Sequence, residues 1–81
     1  MSPADRQQAH YFDELLGCHR AELDQRIDGL CAQALKMAHI GDEAGVSRAQ
    51  RAIRALERDA RRIDRMREAL RLRLEILSVG A

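Results

Sequence analysis

Apolar residues recur along the first half of the chain at Phe12, Leu16, Leu23, Ile27, Leu30, Ala34 and Met37. With His19 included, every step is three or four residues, the period of one helix face. A second stripe runs through Ala49, Ile53, Leu56, Ala60, Ile63, Leu70, Leu74 and Leu77. It keeps a three-four alternation, with Arg67 at its one polar position, and so reads as a heptad seam. Residues 70–76 also alternate apolar and charged, as a strand would. Their continuity with a long helical stripe predicts helix instead.

The pattern predicts a first helix over about residues 3–40, a turn within about 41–47 and a second helix over about 47–77. Ser2 can cap the first helix, Pro3 suits its first position, and Asp5 can complete a capping-box variant. Gly17 and Gly29 interrupt it, each costing roughly 1 kcal/mol relative to Ala. Gly41 is a natural helix terminator and Asp42 a natural N-cap. Ser47 with Gln50 offers a later start. A short turn at Gly41 is favoured, because Asp42 and Glu43 suit a helix N-terminus and Arg48 and Arg51 do not.

The two stripes match in reverse order. Phe12 pairs with Leu74, Leu16 with Leu70, Leu23 with Ile63, Leu30 with Leu56 and Met37 with Ala49. The fold expected is therefore all-α: an antiparallel helical hairpin, a single domain over 1–81 with a coiled-coil-like seam. The same register sets His19 opposite Arg67. That layer is expected to pin the register, bridged by a neighbouring carboxylate such as Glu22 or Asp64.

Composition narrows the function. The chain has 81 residues, of which 46% are hydrophobic and 33% charged, with one Pro and no Trp. It is too apolar for a disordered tail, and its few aromatics argue against a β-sandwich or barrel. So short a chain has little room for a water-excluding pocket, so no enzyme is expected. No uncharged run approaches the ~20 residues of a membrane span. No signal peptide is apparent, and nothing suggests a disulfide framework, so a cytoplasmic setting is expected. Cys18 and Cys31 on one helix lie about 20 Å apart and cannot pair within the chain. Thirteen of the fourteen basic residues are Arg, a usage in keeping with a GC-rich bacterial genome.

A two-helix hairpin buries one stripe per helix, which is seldom sufficient at this size. Apolar residues off the seam therefore point to docking, onto another helical protein or a second copy. Tyr11, Leu15, Cys31, Leu35, Leu72 and Ile76 are the candidate partner-binding residues. Net charge is +1 overall, but the second half is basic and the first acidic. Arg51, Arg54, Arg58, Arg61 and Arg65 recur on one side of the second helix, a candidate anion or nucleic-acid face. Glu57, Asp64 and Glu68 stand three or four residues from them, as Asp59 does from the neighbouring Arg62, and these acids are expected to pair with the arginines. No aromatic interleaves the arginines, so a solvated charged face is the simpler reading. His10, Cys18, His19, Cys31 and His39 show neither CxxC nor HxxxH spacing, so no metal or cofactor is expected.

One resemblance adds to this. From Leu23 to Met66 the chain resembles the small two-helix co-chaperones of type III secretion needle subunits. The resemblance rests on the spacing of Leu23, Leu30 and Met37, the Gly41-Asp42 turn, Arg51, Ala55-Leu56-Glu57 and Ile63. Gly45-Val46 stands where that family often carries an aromatic. The resemblance implies a cytoplasmic hairpin that stabilises a larger helical-repeat chaperone by covering apolar surface. The alternatives from the residues are a nucleic-acid-associated protein using the Arg face and a self-assembling four-helix bundle.

Overall fold

The computed structural model describes residues 3–79, with side chains through 76. The helix-start signal at Ser2 and the side chain of Leu77 lie outside the described residues. Two helices, α1 (Pro3–His39) and α2 (Glu43–Val79), pack antiparallel against each other, with no strand among the described residues. The molecule is 61 Å long and 15 × 12 Å across.

The turn is shorter than the 41–47 span expected, because three local devices close it at once. Gly41 takes φ 78°, a left-handed conformation that costs a residue with a Cβ roughly 1–2 kcal/mol. That geometry lets the Asp42 N–H donate to the Met37 carbonyl (2.8 Å) and the Gly41 N–H to the Ala38 carbonyl (3.2 Å). Two otherwise orphaned carbonyls at the end of α1 are thereby satisfied. Asp42 then caps α2, its Oδ1 accepting from the Gly45 N–H at 2.9 Å. Helix α2 therefore starts at Glu43, four residues before Ser47. Gly45 is buried beneath this turn. A Cβ there would fall 2.6 Å from Met37 Sδ and 2.8 Å from Asp42 Cγ, so a glycine lets the chain close tightly.

The core is thin. Leu23, Ala60 and Ile63 form its buried cluster, with Leu16 and Leu56 packed against them. This confirms the pairing of Leu23 with Ile63 at mid-hairpin. No described side chain is as little as 2% exposed apart from small Ala60.

The open half of α1 departs from the expected stripe. Ala9 is buried, Asp13, Leu16 and Arg20 are half-buried, and Phe12 and His19 are exposed. The true seam of α1 is Ala9, Asp13, Leu16, Arg20, Leu23, Ile27, Leu30, Ala34 and Met37, an unbroken alternation of four and three. Two charged residues sit in it. The His19–Arg67 layer is therefore corrected. Arg67 Nε–H donates to Asp13 Oδ1 at 2.9 Å, and its guanidinium crosses the bare backbone of Gly17. A Cβ on Gly17 would lie 3.3 Å from the guanidinium carbon. His19 faces outward, 3.9 Å from Glu22. Arg67 pairs with Asp13 because a carboxylate gives a guanidinium a charge-assisted hydrogen bond.

Candidate protein-docking face

The seam divides the hairpin surface into two long sides of opposite character. One side carries ion pairs. Arg20 Nε–H donates to Asp64 Oδ1 at 3.1 Å, joining α1 to α2. Its Nη1 also pairs with Asp24. The Asp13–Arg67 pair closes the same run towards the open end. The hydrogen bond from Arg67 holds the Asp13 carboxyl below the usual carboxylate range, helped by the nearby charges of Arg67, Arg71 and His10 and opposed by partial desolvation. The Asp13 carboxylate in turn raises Arg67.

The other side opens two apolar hollows, separated by polar residues. Towards the open end, Phe12, Leu16, Met66, Ala69, Leu70 and Arg73 line a shallow hollow of about 370 Å³. Towards the turn, Gly29, Leu30, Ala52, Ala55 and Leu56 line a second of about 540 Å³, rimmed by Arg26 and Gln33. The first hollow is walled by large side chains, with Phe12 47% and Met66 49% exposed. The second is walled mainly by small ones. Between them the face carries His19, Glu22, Arg26, Asp59 and Arg62, all exposed. Arg26, Asp59 and Arg62 make no ion pair within 4.0 Å, and Glu22 meets only His19, at 3.9 Å.

The expected partner-binding residues do not gather in one place. All six are exposed. Leu15 lies two heptads before Gly29 and Ile76 one heptad after Ala69, so both border the apolar face. Tyr11 and Leu72 occupy the helix backs, away from the seam. Cys31 lies one heptad after Asp24 and Leu35 one turn further, which puts both on the ion-pair side. Both cysteines are free. The residues that build the face are inconspicuous in the sequence for identifiable reasons. Phe12 falls on the apolar stripe of the sequence. Met66 sits beside a polar seam position, and Gly29, Ala52 and Ala55 look featureless in sequence. An unbroken three-four count through Asp13 and Arg20 is the signal that would have exposed Phe12 and Met66.

The arginine face is also changed. Arg51, Arg54, Arg58, Arg61 and Arg65 are exposed on the back of α2, and none makes an ion pair within 4.0 Å. The expected intrahelical pairing with these arginines is absent. Asp64 reaches across to Arg20 and Glu68 pairs with Arg71, while Glu57 and Asp59 form no ion pair. Among the described residues no three His, Cys, Asp or Glu converge as a metal site, and no helix is long and apolar enough to cross a membrane. No family model, curated protein or solved structure matches the chain.

Proposed function

We propose that this chain is a non-enzymatic protein–protein interaction module, a helical hairpin that docks through the apolar side bearing Phe12 and Met66. The carrying observation is the one-sided distribution of its surface. One long side is laced with ion pairs, and the other leaves two apolar hollows open over a core of a few residues. Large aromatic and Met side chains beside shallow hollows are the usual composition of protein contacts. As an adaptor or co-chaperone, the hairpin would stabilise a larger helical partner by covering apolar surface. The resemblance to needle-subunit co-chaperones supports a cytoplasmic, type III secretion setting and makes a helical-repeat chaperone the first partner to try.

The test is purification of the tagged chain from its own cells, with Phe12→Asp and Met66→Asp beside Arg54→Gln and Arg58→Gln. A stoichiometric protein should be lost with the first pair and kept with the second. A partner retained by both face variants would remove this face from consideration.

The unpaired arginines favour a second reading, a contact with nucleic acid along the back of α2. From Arg51 to Arg65 the ridge spans about 21 Å at ~1.5 Å per residue. Phosphate neutralisation would make duplex binding fall steeply with salt. Absent or salt-independent binding would rule it out.

A further inference from the structure

We infer that the occupant of the apolar side is a second copy of this chain, seated by a two-fold axis along the hairpin's length, turn beside turn. This rests on the docking reading and adds the identity of what docks. Four observations carry it.

The first is need. The seam buries little, and hairpins of this size commonly complete their core by pairing into four-helix bundles. The second is area. A side 61 Å long and 15 Å wide projects roughly 900 Å², close to the ~800 Å² per partner of a stable interface.

The third is charge. Leu16 shares a hollow with Leu70, Leu23 a cluster with Ile63, and Leu30 a hollow with Leu56. These contacts fix which residues of α1 and α2 stand at the same height. Rotation about the long axis lays α1 of one copy over α2 of the other at equal height. Glu22 then meets Arg62 of the other copy, and Arg26 meets Asp59, each twice by symmetry. These are the face charges that find no salt-bridge partner across the hairpin in the single chain. End-over-end stacking with its axis at the Leu23–Ile63 level would instead bring Glu22 near Glu22 and Arg62 near Arg62, and like charges disfavour that register.

The fourth is size. In the same arrangement Leu15 stands over Ala69 and Gly29 over Ala55, so a large side chain meets a small one and the two least bulky levels meet each other. Close helix approach is possible at the turn end, and the leucine fills the open end.

Sedimentation equilibrium of the full chain, from low micromolar to hundreds of micromolar, reads the proposal. The expected result is reversible conversion from 9.2 kDa to twice that mass. Phe12→Asp and Met66→Asp should yield helical monomers. Glu22→Arg and Arg62→Glu should each weaken self-association by about tenfold or more. The double variant Glu22→Arg/Arg62→Glu should recover it. Circular dichroism on every variant separates lost association from lost helix, and all four positions are exposed.

A helical monomer at every concentration overturns the second copy. A dimer indifferent to Phe12→Asp and Met66→Asp places the contact elsewhere and overturns it too. Single charge reversals without recovery in the double variant overturn the two-fold arrangement. The docking reading is judged separately. A monomer whose co-purifying protein is lost with Phe12→Asp keeps the docking reading and removes the second copy. If neither self-association nor any partner depends on the face, both are removed.

Discussion

At the scale of single residues, the informative position is Asp13. A charged residue in a hydrophobic seam normally destabilises, unless it is paired and hydrogen-bonded. Asp13 and Arg67 meet that condition because Gly17 leaves the space through which the guanidinium passes. The carboxyl of Asp13 is held below its ordinary range, so the folded hairpin binds that proton less readily than the unfolded chain. The stability from this pair is complete above the ordinary carboxylate range. It is lost as pH falls below about 4 and through the depressed folded value. Asp13→Asn should therefore lower stability at neutral pH and flatten the acid limb of the stability–pH curve. Paired urea titrations between neutral and acidic pH would show it. An unchanged acid limb would mean that the pair contributes nothing to folding.

At the scale of elements, each helix is 37 residues long, far beyond the length at which ends dominate. The turn nevertheless decides where each helix stops. Gly41 provides the left-handed residue, Asp42 the cap and Gly45 the clearance over Met37. Loss of the cap in Asp42→Ala should cost about 1 kcal/mol. The chemical denaturation midpoint would measure this, at one fixed protein concentration so that any association is held constant. Gly41 and Asp42 were legible in the sequence because C-terminal glycines and N-capping aspartates act through local backbone geometry. Gly45 was not, because its requirement comes from how the Asp42 carboxylate and the Met37 side chain of the other helix fold over it.

At the scale of the whole molecule, stability rests on a short central layer. Leu23 is 3% exposed and Ile63 5%, and they carry the contact between helices at mid-length. Leu23→Ala should cost about 2–5 kcal/mol, which for so thin a core is a large share of the total. A pronounced drop in the thermal midpoint followed by circular dichroism is expected. A shift within the error of the melt would mean that the hairpin draws its stability from elsewhere along the seam.

What the amino-acid sequence determined by itself is the pair of helices, their antiparallel order and the level of Leu23 against Ile63. Periodicity repeated over many turns leaves one face per helix and one register, and the local turn chemistry joins them. What only the tertiary structure decided is the use of the polar positions. The sequence register set His19 opposite Arg67 and passed over Asp13, because periodicity treats polar positions only as interruptions. The choice fell to Asp13 because the cross-helix carboxylate and the absent Cβ of Gly17 act together, and neither is visible along one strand of sequence. That choice rotates the open half of α1, turns Phe12 out of the seam and sets it beside Met66. The apolar side, and the docking function argued from it, follow from that rotation.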